Sequence, residues 1–220
     1  MTVAASRRGA PRRPAGLQAW AIVMSTDAVT LLLAFLAVLA QATVATVLVL
    51  SVAGGRLPAV ARLGGSMRRF LGPQASSLAI LVAVVATSGS LYFSEIAHFT
   101  PCRLCWYQRF VMYPLVPILM MVARRRSRVL QRVAMVIPLL GASVSGYHMA
   151  VERFPSLEST TCDPTNPCSL IWVERFGYLT IPTMALSAFL LIATLLWVAD
   201  PAPIDPPSDD PVVALKGTVP

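Results

Sequence analysis

The 220-residue sequence predicts an all-α membrane protein: a four-helix transmembrane bundle with an additional amino-terminal transmembrane helix. Three observations predict it. Charged residues make up 13% of the chain and hydrophobic residues 56%. A soluble domain carries about 25% charged residues, so a soluble globule of this composition could not cover itself with polar surface. The same hydrophobicity excludes a disordered chain. Second, the apolar residues gather in five uncharged runs. Third, the formal charge of +8 sits in short clusters between those runs, and 17 of the 18 Lys and Arg residues are Arg. Charge alone would fit nucleic acid. Its distribution fits the basic loops that orient membrane spans, so no nucleic-acid partner is expected.

The runs are Ala28 to Gly55, Phe70 to Ser94, Phe110 to Ala123, Val133 to Val151 and Phe176 to Ala199. About 20 residues at 1.5 Å each cross a hydrocarbon layer of ~30 Å. The third run, at 14 residues, reaches that length only with Trp106, Tyr107, Gln108 and Arg109 as its interfacial end. Backbone groups in lipid must be satisfied within the segment, so each run reads as a helix. Pro114, Pro117, Pro138 and Pro182 read as tolerated kinks. Gly141, Ser145 and Gly146 read as small-residue packing between helices.

The chain therefore divides into a basic segment at 1–27, an extra transmembrane helix at 28–55, a basic loop at 56–73, a four-helix core at 74–199 and an acidic, Pro-rich tail at 200–220. The tail reads as disordered. With the amino terminus outside, inside positive residues number 10 and outside ones 8; counted over the core alone they are 10 and 4. The short loop 124–132, with five Arg residues, fixes that end as cytoplasmic. A cleaved signal peptide ending near Ala40-Gln41-Ala42 would reverse this count, so an uncleaved helix is expected. The protein reads as a multi-pass protein of the cell membrane, in contact with lipid. Both cysteine pairs fall on its extracytoplasmic side.

The pairs are Cys102-Arg103-Leu104-Cys105 and Cys162 to Cys168. Four cysteines outside the cytoplasm imply disulfides. Three pairings are open, and the close spacings favour Cys102 with Cys105 and Cys162 with Cys168. A C-x-x-C pair closes a small ring, and such pairs are often redox-active. Cys102, Cys105 and Arg109 share one helical face at i, i+3 and i+7. There a guanidinium one turn from Cys105 would favour its thiolate. Snorkelling to headgroups is the alternative for Arg109, and the cysteine spacing favours the functional role. Two inert structural disulfides and a zinc site remain alternatives for the four sulfurs, whereas covalent haem needs a His after the second cysteine and Trp106 stands there. No metal is expected. A thioredoxin fold needs a βαβ pattern that the sequence lacks. A membrane dithiol–disulfide relay is the favoured reading.

Thr100-Pro101-Cys102-Arg103-Leu104-Cys105-Trp106-Tyr107-Gln108-Arg109-Phe110, preceded by Tyr92-Phe93-Ser94-Glu95, resembles the DsbB/BdbC family of membrane disulfide-bond-forming proteins. The stretch from Cys168 through Phe176-Gly177-Tyr178-Leu179-Thr180-Ile181-Pro182 is similar to it as well. The resemblance spans residues 75–198, and the compact C-x5-C resembles the BdbC branch. The first helix and the acidic tail depart from the family pattern.

The resemblance implies a thiol:quinone oxidoreductase that oxidises a DsbA/BdbD-like thioredoxin-fold partner and passes electrons to ubiquinone or menaquinone, hence to the respiratory chain as quinol. It implies that Cys162 forms the mixed disulfide with the partner and that Cys168 exchanges with Cys102. Cys105 would then face the quinone, with Arg109 holding the thiolate or a quinone oxygen. Trp106, Tyr107 and Tyr113 could line the quinone slot, although interfacial aromatic residues are common without one. A relay of the vitamin K epoxide reductase type places its C-x-x-C after the loop cysteines, the reverse of the order here. His98 reads as a solvated loop residue and His148 as an interhelical hydrogen-bond partner. Glu95 or His148 could also handle protons.

Overall fold

The computed structural model describes residues 26–125, 127–159 and 162–199. The first 25 residues of the basic segment and the whole acidic tail lie outside them. Five α-helices stand among the described residues: α1 (Thr26–Gly54), α2 (Pro58–Leu91), α3 (Arg103–Arg125), α4 (Arg128–Arg153) and α5 (Ile181–Val198). The all-α membrane architecture expected from composition is the one observed. Helices α1, α4, α5, and α2 with the π turn Tyr92–Ile96 that continues it, are long and apolar enough to cross a membrane. Helix α3 has 23 residues, about 34 Å of rise, and carries Arg103, Arg109, Arg124 and Arg125 towards its ends.

Residues 56–73, expected as a basic loop, are helical from Pro58 onwards. Proline suits a first turn, because its missing N–H has no intrahelical partner there to lose. The link from α1 shrinks to Gly55, Arg56 and Leu57, closed by Arg56 and Leu57 N–H groups on the Ala53 carbonyl at 3.0 Å. The fifth run also starts differently. Residues 174–180 form a hairpin in which Glu174 pairs with Thr180 and Arg175 with Leu179. Phe176 (φ 52°) and Gly177 (φ 74°) turn it in the left-handed region. This conformation costs little at glycine and is uncommon at a bulky residue. Helix α5 then begins at Ile181 with Pro182 in its first turn. Ser127 caps α4, accepting the Leu130 N–H at 3.4 Å.

The helices meet through small residues. Ala75, Ala79 and Ala83 form a fully buried stripe along α2. It belongs to one cluster with Leu115 and Leu119 of α3 and Phe189 and Ile192 of α5. A Cβ at Gly141 would lie 2.4 Å from the Phe189 ring, so α4 reaches α5 there only as glycine. Large apolar residues face outward instead, Phe110 at 82% and Phe70 at 71% exposure. Lipid-facing spans have that arrangement, and a soluble bundle would bury these rings.

Helix α1 starts at the cysteine end of the bundle. Asp27 is ion-paired with Arg175, whose guanidinium also donates to Thr30 Oγ1 at 2.9 Å. At the opposite end Gln131 of α4 donates to the Ala199 carbonyl at 3.0 Å, after α5 has ended. Five alternating helices therefore bring both cysteine loops and the start of α1 to one end, and Arg124, Arg125 and Arg128 to the other.

Candidate functional site

Pro101 ends the extended approach to α3, and Cys102 occupies the position before its first helical residue. Its carbonyl accepts the Trp106 N–H at 3.1 Å, and its sulfur accepts the Cys105 backbone N–H at 3.4 Å. A thiol so placed caps the helix and feels its positive end. The Cys105 sulfur lies 3.0 Å from that of Cys102, and the two stand as free thiols rather than as the disulfide their spacing favoured. These contacts hold the Cys102 thiol well below the usual thiol range. The hydrogen bond from Cys105 is the main cause. Burial opposes it, and His148 and the Cys105 N–H reinforce it. The Cys105 thiol, His148 and the Cys105 backbone N–H thus converge on Cys102, a convergence that the sequence reading, which placed the Arg109 guanidinium beside Cys105, did not anticipate.

His148 is buried on α4. Its Nε2 lies 3.0 Å from the Cys168 carbonyl oxygen and 3.6 Å from Cys102 Sγ, and its Nδ1 lies 3.0 Å from Gln108 Nε2. With Gln108 donating to Nδ1, the imidazole proton sits on Nε2 and points at both cysteine segments. One side chain from α4 thus joins the C-x-x-C on α3 to the second pair in the following loop.

Cys162 and Cys168 form a disulfide, the pairing favoured by their spacing. The Cys168 N–H donates to Glu158 Oε1, and Ser169 Oγ donates to Glu158 Oε2 at 2.9 Å. Asn166 Nδ2 donates to the Pro101 carbonyl at 3.2 Å and ties this loop to the approach to α3. Asp163 accepts both the backbone N–H and the hydroxyl of Thr165, which lowers its pKa and folds the loop tip. All four cysteines and Leu104 pack in one cluster over Val151.

A chamber of about 330 Å³ opens beside this cluster, between α1, α2, α3 and α5. Its walls are mostly apolar, and Cys105, Gln108 and Arg109 supply polar groups at one end. Cys105 is the one cysteine that lines it. Arg109 donates to the Ser90 carbonyl at 3.0 Å and lies 5.4 Å from the centre of the Trp106 ring. Trp106 and Tyr113, expected in a quinone slot, are not among the lining residues. Trp106 is half exposed, and the Tyr113 hydroxyl lies 3.4 Å from Ser90 Oγ. The aromatic wall comes instead from Phe93, Phe99 and Trp172, stacked with centroids 5.8 and 5.1 Å apart.

A family model described as "Disulfide bond formation protein DsbB" matches residues 73–199. The chain belongs to the DsbB family. Among similar proteins is the "Disulfide bond formation protein C" of Bacillus subtilis (strain 168), 42% identical over 113 residues, which cover 51% of this chain and 82% of that protein. The "Probable disulfide formation protein C" of Halalkalibacterium halodurans is 40% identical over the same shares. The "Probable disulfide formation protein" of Oceanobacillus iheyensis is 37% identical over 127 residues, 56% of this chain and 88% of that one. No solved structure matches. Helix α1 lies wholly before the residues that the DsbB model matches.

Within this DsbB-family site, sequence reasoning named the cysteines and Arg109 and missed three parts. Gln108 was visible in the C-W-Y-Q-R run but had no partner until α4 was placed. Trp172, four residues after Cys168, lacked any spacing signal. The contribution of α1 was invisible, since nothing in its composition separates a lining helix from an anchor. Glu95 is exposed and accepts from Ser94 Oγ at 3.1 Å, and His98 is exposed.

Proposed function

We propose that this DsbB-family protein is a thiol:quinone oxidoreductase that makes protein disulfides de novo by oxidising an extracytoplasmic thioredoxin-fold thiol oxidase of the DsbA/BdbD kind. The observation that carries the reading is one contact cluster of four cysteines in which Cys105 alone borders an apolar chamber. A chamber with apolar walls and Cys105, Gln108 and Arg109 at one end suits a molecule with a polar ring and an apolar tail. Those three residues would hold the ring. A bound quinone, ubiquinone or menaquinone, supplies a sink for two electrons and two protons, which the respiratory chain then reoxidises.

The protein's own residues perform the thiol chemistry. A partner thiolate attacks Cys162, forming a mixed disulfide and releasing Cys168 as thiolate. Cys168 attacks Cys102 of a Cys102–Cys105 disulfide, and Cys105 leaves as thiolate beside the chamber. The partner's second thiolate then takes the partner sulfur from Cys162. Cys162 returns to Cys168 and expels Cys102. The partner gains one disulfide, and its two electrons rest on Cys102 and Cys105. A thiol of low pKa is a better leaving group. The depressed pKa of Cys102 therefore favours the last step, and His148 is placed to stabilise the departing sulfur.

Residues 74–199 form the catalytic core of this reading. The cysteine end faces away from the cytoplasm, because the Arg-rich link between α3 and α4 lies at the other end. Purified protein with a reduced thioredoxin-fold partner should consume quinone absorbance and yield oxidised partner. Undiminished turnover by Cys105→Ser would overturn the mechanism.

A further inference from the structure

One wall of the chamber is built by α1, the helix that precedes the family match. Leu33, Leu36, Ala37, Ala40 and Thr43 line it and follow one helical face. From Leu33 to Thr43 the wall runs about 15 Å along the helix, deeper than a polar ring at Cys105 requires. Two contacts fix α1 as part of the bundle. Gln41 donates to Ser187 Oγ on α5 and accepts from the Tyr178 hydroxyl, both at 2.9 Å. Leu33 packs so closely on α2 that a Cβ at Gly89 would lie 2.9 Å from its Cδ1. Ala37 and Ala40 are small where the chamber needs clearance, while Leu32 does not line the chamber and is 58% exposed.

We propose that α1 is the specificity-determining wall for the apolar tail of the electron acceptor, with Ala37 and Ala40 setting the clearance. The proposal rests on the quinone reading above and adds that affinity for a long isoprenoid tail depends on a helix outside the four-helix core. Tail binding leaves the dithiol chemistry untouched, so the two readouts separate.

The test uses the full chain in detergent and two probes, a long-tailed quinone and an analogue with a single isoprene unit. Binding is titrated by quenching of tryptophan fluorescence, without turnover, and exchange between Cys162–Cys168 and a reduced thioredoxin-fold partner is timed without quinone. Ala40→Phe, which fills the chamber, should raise the Kd of the long-tailed probe about tenfold or more and change that of the short one less than about twofold. Leu32→Phe should change neither, and thiol exchange should hold in both variants. If Ala40→Phe fails to exchange thiols, Leu36→Ala decides, since it deletes wall contact without crowding and should weaken long-tail binding several-fold. Equal losses for both probes, an equal loss in Leu32→Phe, or no loss in either lining variant would overturn the role of α1. If the unaltered protein bound neither quinone, the quinone reading itself would fall, and the role of α1 with it.

Discussion

The imidazole of His148 meets the sulfur of Cys102 at 3.6 Å across 46 residues of sequence, and the same nitrogen meets the Cys168 carbonyl at 3.0 Å. This junction makes one site of two cysteine pairs. In the proposed relay it also places the depressed pKa on the sulfur that leaves when the second pair re-forms.

His148→Ala should raise the Cys102 pKa, because it removes one of the groups that favour the thiolate over the thiol. A lowered thiol pKa keeps the thiolate present as pH falls, and the advantage ends only below the lowered value. Reduced protein should therefore show Cys102 alkylation that stays fast well below pH 8, and the variant's rate should fall off at higher pH. Identical pH profiles would remove His148 from this role.

Arg109→Met should weaken quinone binding about 10- to 100-fold, the scale of a hydrogen bond from a charged group. Thiol exchange with the partner should stay within about twofold, because the Arg109 guanidinium donates to the Ser90 carbonyl rather than to a cysteine sulfur. Steady-state KM for quinone and stopped-flow exchange measure the two effects separately.

Cys168→Ser leaves Cys162 as a free thiol that should attack the disulfide of an oxidised partner and accumulate a covalent complex, since Cys168 no longer supplies the thiolate that displaces the partner. Non-reducing electrophoresis and mass spectrometry identify the joined residue. Recovery of the partner on Cys168 in Cys162→Ser, with none on Cys162 in Cys168→Ser, would reverse the assignment. On intact cells a membrane-impermeant thiol reagent should reach Cys162 after reduction; labelling only after lysis would reverse the orientation.

Gly141→Ala should destabilise the bundle by about 1–3 kcal/mol, because the new methyl lands on the Phe189 ring. Phe189→Leu in the same chain should recover part of the loss. Thermal unfolding in detergent reads both.

Gln41→Leu should cost about 1–2 kcal/mol by losing two hydrogen bonds between elements, each worth ~0.6 kcal/mol or more in membrane proteins. Asp27→Asn breaks an ion pair with an 84% exposed carboxylate and should cost less than about 1 kcal/mol. A larger loss in Asp27→Asn than in Gln41→Leu would mean that α1 is held by its end rather than by its middle.

The sequence alone determined that the chain is an all-α membrane protein, where its apolar runs lie and that Cys162 pairs with Cys168. Runs of some 20 apolar residues have one good solution in lipid, and a short loop between two cysteines closes on itself locally. Local pattern misread the segment after Gly55 and the start of the fifth run, where single residues, Pro58 at a helix start and Gly177 at a turn, set the backbone. Only the tertiary structure decided which sulfur receives the stabilising donors, that Gln108 and His148 join the two pairs, that Trp172 rather than Trp106 borders the chamber, and that α1 starts at the cysteine end and walls it. Each of these depends on the rotation and depth of one helix against another. Hydrophobic periodicity leaves both free, and close contacts such as Gly141 on Phe189 and Gly89 on Leu33 fix them.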